Sequence, residues 1–320
     1  MALTRGLCAV AALSGLLLAC APTAQQSAPA STTNATATNI PLLYIEAVPV
    51  FADVDPATMN ISIEDAERRI TDKTKAIVCV DYGGLSNDYH RLRALCDRHG
   101  IALISDAAHS IGAVYDGRYA CQYADFTIFS FQAIKTLTTA DGGMLAIKDP
   151  ALLPRAKRLR WFGIDREAKQ CGIWENDIRE IGYKYQMTDI AASMGLAGMR
   201  EIDDILEHRR TLFQAYCEHL STNRARIVGL SPKDLLRNSA WLLTIIVDRD
   251  RTALVTALRE AGVESGQVHY RNDRYSILGG RRTDLPNMDS VEERYLVLPL
   301  HTRMITADVG KISELVNRGW

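Results

Sequence analysis

The stretch ISDAAHSIGA at residues 104–113 and the stretch SFQAIKTLTTADGGML at residues 130–145 decide the fold and the chemistry of this sequence. The first continues the apolar run IALIS and the second overlaps the run FTIFSF, and both runs have the length and composition of buried strands. Ligands of open α/β sheets bind at the carboxyl ends of the strands. Asp106 and Lys135, which follow the two runs, are therefore candidate functional residues.

Short apolar runs alternate with amphipathic segments from Glu46 onward, a pattern typical of helices packed on a mostly parallel sheet. Ser62, with Asp65 three residues later, predicts the start of one helix, and Gly100 predicts the end of another. The predicted strands are residues 76–80, 101–105, 126–131 and 144–147, and the predicted helices are 62–70 and 88–98. The fold class is therefore α/β, with a mostly parallel sheet sandwiched by helices.

A second region follows a largely helical stretch. Residues 152–160 predict one helix, and residues 188–219 predict one or two long helices. Further along, strands are predicted at 241–247 and 263–268, a helix at 252–261 and a last amphipathic helix near the end. We expect a domain boundary near residue 220, with a large domain at 46–220, a smaller C-terminal α+β domain at 221–320, and a distinct segment at 1–45.

Composition excludes several classes of protein. A net charge of −1 with interleaved signs argues against nucleic acid or an anionic membrane as the main partner. The 7 cysteines include no C-x-x-C pair, so the sequence suggests neither a zinc site nor a disulfide framework, and no metal is expected.

The amino-terminal segment has an unusual charge distribution. Arg5 is the only charged residue before Glu46, and it precedes an apolar run at residues 7–20 that is too short to span a membrane. Together with the polar residues behind it, this run imitates a secretory signal with Cys20 as a lipid acceptor.

The amino-acid sequence at residues 104–113 and 130–145 closely resembles the DegT/DnrJ/EryC1/StrS family of sugar aminotransferases, a branch of the fold-type I pyridoxal-phosphate enzymes. The resemblance covers nearly all of the chain from residue 46 onward, in the order of the family. It continues through VPVFADVDPATMNIS at 48–62, RLRWFGIDRE at 158–167 and GYKYQMTDIAASMGLAGM at 182–199. It implies the aspartate aminotransferase-like fold, pyridoxal 5'-phosphate as cofactor, and a homodimer.

The resemblance implies roles for four residues of the predicted large domain. Lys135 matches the lysine that binds the cofactor aldehyde covalently and moves a proton between substrate and cofactor carbons. Asp106 matches the carboxylate that keeps the pyridine nitrogen protonated. His109 matches a position near the cofactor ring, and Ser130 matches a hydroxyl donor to the cofactor phosphate. Lys135 argues against a sister branch that dehydrates sugars with a histidine at this position.

The resemblance implies roles for four other residues, although one of them differs from the usual family residue and the other three match by position only. Lys184 stands where many members have an asparagine that reaches the cofactor phosphate of the neighbouring subunit, and it would serve as a point charge. Tyr183 is expected to line the substrate cleft. His269 and Arg271 follow a predicted strand at the place where relatives approach the sugar nucleotide.

The resemblance is weakest at the amino-terminus. Leu7 replaces a phosphate-binding threonine, residues 23–25 replace an acidic turn, and residues 33–34 replace an aromatic that stacks on the cofactor. Two explanations stay open: a shortened and altered family member whose first helix mimics a signal, or a signal joined to a core that lost its beginning.

The function implied is transfer of an amino group, with glutamate as donor, to a nucleotide-linked keto-deoxysugar in surface polysaccharide or amino-sugar biosynthesis. A cytoplasmic location follows from such substrates, with no membrane and no nucleic acid involved. Two alternatives remain: a catalytically impaired relative that acts as a binding or regulatory protein, and an exported lipoprotein anchored through Cys20.

Overall fold

The computed structural model describes residues 10–11, 16–17, 26–31, 36–175, 177–221, 223–229 and 237–320. Its strands are β1 (Val10–Ala11), β2 (Leu16–Leu17), β3 (Gln26–Ser31), β4 (Ala47–Ala52), β5 (Ala76–Val80), β6 (Ala102–Asp106), β7 (Phe126–Ser130), β8 (Gly143–Ile147), β9 (Ala225–Ile227), β10 (Leu243–Val247) and β11 (Tyr295–Leu298). Its α-helices are α1 (Thr36–Tyr44), α2 (Ile63–Arg68), α3 (Tyr89–His99), α4 (Leu153–Leu159), α5 (Arg166–Gln170), α6 (Asp189–Gly198), α7 (Ile202–His219), α8 (Arg251–Glu260), α9 (Pro286–Glu292) and α10 (Thr306–Arg318).

The larger sheet has the strand order β4-β3-β5-β6-β7-β8. All neighbours in it are parallel except β7 and β8, which run antiparallel. Every residue of β5 is buried, as expected for a strand covered by helices on both faces, whereas the edge strand β8 is mostly half-buried. The sequence prediction of a mostly parallel, helix-covered sheet is confirmed.

Local sequence signals explain where the helices on this sheet begin and end. The Ser62 side chain accepts a hydrogen bond from the Asp65 N–H and caps α2, as predicted. Gly100 ends α3 with a φ of 62°, a left-handed conformation that favours glycine. The predicted start of α2 and the predicted end of α3 are therefore explained by a side-chain cap and by a left-handed glycine.

The amino-terminal segment contributes to the larger sheet. β3 pairs with β4 over six residues and also reaches β5, and α1 lies next, before β4. Cys20, proposed as a lipid acceptor, lies outside the described residues. Within the described part of the chain, no helix has the length and apolar character needed to cross a membrane.

The smaller sheet has the order β11-β10-β9 and is antiparallel. Its core is built by α7, α8 and α10 around fully buried residues such as Leu243, Leu258 and Leu296. The predicted strand at 263–268 is wrong. In the structure only Gly266 forms a bridge, to Val297, because the side chains of this segment are half-buried or exposed and offer no buried face for a strand.

Candidate active site

The carboxyl ends of β5, β6 and β7 meet at one edge of the larger sheet, because these strands are parallel neighbours. Asp106 is the last residue of β6 and Ser130 is the last residue of β7, while Asp81 follows β5 directly. This edge therefore collects polar side chains at the place where ligands of α/β sheets bind, among them the predicted site residues Asp106 and Ser130.

Asp106 is fully buried at this edge. Thr38 Oγ1 donates to one carboxylate oxygen at 2.5 Å, and the Ala108 N–H donates to the other at 3.0 Å. Burial raises the pKa of Asp106, and the two hydrogen bonds and the positive charge of Lys135 oppose that rise. A carboxylate accepts about four hydrogen bonds. Asp106 can therefore accept a further N–H donor from a ligand.

Lys135 lies in the turn after β7, where its N–H donates to the Gln132 carbonyl at 2.9 Å. Burial lowers the pKa of its ammonium group to about 8, and the negative charge of Asp106 opposes the shift. Its Nζ lies 4.0 Å from the ring centroid of Trp241. The amine can therefore gain and lose a proton near neutral pH, as a nucleophilic lysine must.

His109 packs against two other rings. Its ring centroid lies 3.8 Å from that of Trp241 and 5.1 Å from that of His269, and both pairs are stacked. Burial, followed by the positive charge of Lys135, lowers the pKa of His109 well below its usual value. Its Nδ1 is buried and has no hydrogen-bond partner among the described residues. His109 is therefore neutral, with an atom available to a ligand.

These three side chains fit the cofactor that the sequence predicts. Pyridoxal phosphate presents a ring nitrogen, a ring oxygen and an aldehyde. The free lone pairs of Asp106, the unpartnered Nδ1 of His109 and the amine of Lys135 are a matching set of groups.

The structure also locates the other predicted residues of the large domain. Ser130 is buried, and its Oγ accepts from the Gln132 N–H at 3.4 Å. Tyr183 stacks on Tyr185 with 5.0 Å between ring centroids. Lys184 pairs with Trp161 through a backbone bridge and holds its Nζ 4.7 Å from that ring. The contacts predicted for these three residues with cofactor and substrate stay predictions.

The two predicted residues of the second region have different surroundings. His269 stacks on His109, and burial and the charge of Lys135 lower its pKa to about 4. Arg271 is fully buried, and its guanidinium donates to Asp273 at 2.6 and 2.7 Å and to Glu292 at 3.1 Å. His269 joins the cluster of Lys135, Asp106 and His109, called the Lys135 cluster below. Arg271 instead faces carboxylates of its own region, and its predicted contact with the substrate stays a prediction.

Sequence reasoning missed Thr38, Asp81 and Trp241. Asp81 accepts hydrogen bonds from Ser110 Oγ at 2.7 Å and from the Tyr89 hydroxyl at 2.8 Å. It therefore holds Ser110, the residue after His109, in place. Asp81 follows a predicted strand and Trp241 opens another, so their positions carried a signal. Thr38 precedes residue 46, from which the quoted family motifs run, and its position carried no signal.

A model of the DegT/DnrJ/EryC1/StrS aminotransferase family matches residues 10–317. The chain belongs to this family. A curated relative, the uncharacterized protein MJ1066 of Methanocaldococcus jannaschii, is 31% identical over 296 residues, which cover 88% of this chain and 76% of the relative.

Solved structures share the fold. The sugar aminotransferase CalS13 from Micromonospora echinospora matches with a TM-score of 0.87 and 29% identity, covering 92% of this chain and 81% of that one. The PMP form of Spr1654 from Streptococcus pneumoniae matches with a TM-score of 0.84 and 29% identity, over 92% of this chain and 81% of that one. The predicted aspartate aminotransferase-like fold is confirmed.

Proposed function

We propose that this protein is a pyridoxal-phosphate-dependent aminotransferase that moves an amino group from glutamate to a keto carbon of a nucleotide-linked deoxysugar. The observation that carries the proposal is the cluster of Lys135, Asp106 and His109 at one sheet edge. Family membership and the PMP and PLP forms of Spr1654 support the cofactor. DesI, 26% identical with a TM-score of 0.80, was solved with its TDP-sugar product, which supports a nucleotide sugar as acceptor.

The side chains divide the work of the reaction. The bound cofactor supplies a ring that accepts the electron pair released at the substrate carbon. Lys135 would hold the cofactor through its Nζ and would carry the proton between the substrate carbon and the cofactor carbon. Asp106 would accept the N–H of the cofactor ring, and Ser130 would donate its hydroxyl to the cofactor phosphate. The pKa of about 8 for Lys135 supports the proton-carrying role, because both forms of the amine are then accessible.

The active unit is proposed to be a homodimer. Several large apolar side chains on and near α6 are exposed, among them Ile181 (78%), Ile190 (79%) and Leu196 (68%). Extended exposed apolar surface marks protein–protein interfaces in soluble proteins. In the dimer, Lys184 of each subunit is proposed to reach the cofactor phosphate of the other, and Tyr183 and His269 to line the sugar cleft.

The proposed cellular role is amino-sugar formation for surface polysaccharides. Nucleotide sugars are made in the cytoplasm, so a cytoplasmic enzyme is the proposed location.

Transfer of labelled nitrogen tests the function. We expect protein loaded with pyridoxal phosphate to convert ¹⁵N-glutamate to 2-oxoglutarate and to place the ¹⁵N amino group on a keto-deoxysugar linked to TDP or UDP. Lys135→Ala should abolish transfer. Lys148→Ala, which removes an exposed lysine after β8, should leave it unchanged. Cofactor binding without any transfer across the panel of sugars would favour the non-catalytic alternative.

A further inference from the structure

Trp241 brings the second region of the chain into the Lys135 cluster. It lies just before β10 and is 5% exposed. Its ring stacks on His109 at an interplanar angle of 21°, and the Lys135 Nζ lies 4.0 Å from the ring centroid. Its indole N–H donates to the Ile134 carbonyl at 3.2 Å. One side chain therefore contacts the lysine amine, the backbone beside it and the neighbouring histidine.

The backbone around Trp241 is fixed against the same sheet edge. Ser239 Oγ donates to the His109 carbonyl at 2.7 Å. The Leu242 N–H donates to the Gly83 carbonyl at 3.0 Å, in the turn that follows β5. Because these bonds lie on both sides of Trp241, the position of the indole is set by the fold and not by its own contacts alone.

We propose that Trp241 is a positioning residue for the transamination lysine: its ring face holds the Lys135 amine beside Asp106 and His109, and its N–H holds the turn that carries the lysine. The role rests on the proposed function, since it concerns the same amine. Trp241 also supplies an aromatic ring beside the lysine in a chain whose residues 33–34 lack the aromatic expected from the family resemblance.

The aromatic ring and burial act on the pKa of the Lys135 amine in opposite directions. An aromatic face attracts an ammonium group, and this attraction grows when water is excluded. The other groups around the amine are the carboxylate of Asp106, which also favours the ammonium form, and the rings of His109 and His269. Burial favours the neutral amine. Trp241 therefore offsets part of the effect of burial and keeps the charged form accessible for proton transfer.

The pH dependence of lysine labelling in the cofactor-free protein tests this role without activity. Lys135 and the exposed Lys148 are acetylated at a series of pH values and quantified by peptide mass spectrometry. Trp241→Leu keeps an apolar cover but removes the aromatic face, so we expect the Lys135 midpoint to move to lower pH. Below the wild-type midpoint, labelling of Lys135 relative to Lys148 should rise about threefold.

The control is Trp174→Leu, which removes a tryptophan that is 77% exposed. In this variant the pH profile of Lys135 acetylation should equal that of wild type. A Trp241→Leu profile that coincides with wild type would overturn the proposal. If the Leu variant does not fold, Trp241→Phe decides. It keeps a ring and loses the N–H bond to Ile134, so we expect an unchanged midpoint but severalfold slower attachment of pyridoxal phosphate to Lys135, measured after borohydride reduction.

An attachment rate of Trp241→Phe equal to that of wild type would contradict the positioning role. The two proposals fail in different ways. Wild type that never attaches pyridoxal phosphate contradicts the proposed function, whereas wild type that attaches it with no dependence on Trp241 contradicts only this inference.

Discussion

At the scale of the residue, Lys135 makes the folded protein sensitive to pH. Its pKa falls from 10.5 to about 8 on folding, chiefly through burial. Between these values the unfolded chain binds a proton that the folded chain does not, so the free energy of unfolding rises with pH in that window. Below about pH 8 both states carry the proton, and the cost of burying the ammonium group is fully present.

Lys135→Met should therefore stabilise the cofactor-free protein near neutral pH. We expect a gain of about 2 kcal/mol in the free energy of unfolding at about pH 7, measured by denaturant titration. The gain should shrink toward about pH 10. Lys148→Met, at an exposed position, controls for the loss of a lysine. An equal gain at both pH values would mean that the amine is not held in a water-poor site.

At the scale of the element, Arg271 ties α9 to the 3-10 turn at Asn272–Arg274. Its guanidinium bonds Asp273, which is 0% exposed, and Glu292, near the end of α9. A buried charge that loses its partner is destabilising by about 3–5 kcal/mol.

Arg271→Met should therefore lower the free energy of unfolding by about 3 kcal/mol or more. The matched control is Arg281→Met, because Arg281 bonds Asp289 and Glu292 from an exposed position and should cost about 1 kcal/mol or less. Both values come from denaturant unfolding. Unchanged stability of Arg271→Met together with a raised KM for the sugar would assign Arg271 to substrate binding after all.

Most elements of the larger sheet could be predicted because their cause is local. The runs that became β5, β6 and β7 are short, apolar and bounded by polar or glycine residues, and Ser62 and Gly100 mark helix ends by their own chemistry. The segment at 263–268 differs from these runs, because only Val263 and Val268 are apolar side chains in it, and in the structure it meets β11 through a single bridge at Gly266.

The residues of the candidate active site were likewise predictable only where the signal is local. Asp106, His109 and Lys135 were predictable because they follow strands within motifs of a known family. Trp241 and Thr38 come from distant parts of the chain, and only the tertiary structure brings them to Lys135 and Asp106.

At the scale of the whole molecule, the exposed apolar side chains of α6 predict self-association. Ile190→Asp places a charge on a position that is 79% exposed, so it should leave the subunit folded but convert a dimer to a monomer in analytical ultracentrifugation. Ile277→Asp, at another exposed position (66%), should leave the mass unchanged. A wild type that sediments as a monomer at all concentrations would contradict the proposed homodimer.

The buried edge of the larger sheet is proposed to hold pyridoxal phosphate through Lys135. The most direct test is to add pyridoxal phosphate to the purified protein, reduce with borohydride and map the modified peptide by mass spectrometry. We predict one stoichiometric modification at Lys135 in wild type, no stoichiometric modification in Lys135→Ala, and weaker binding in Asp106→Asn. Wild type that carries no modification at Lys135 under saturating cofactor would contradict Lys135 as the attachment site.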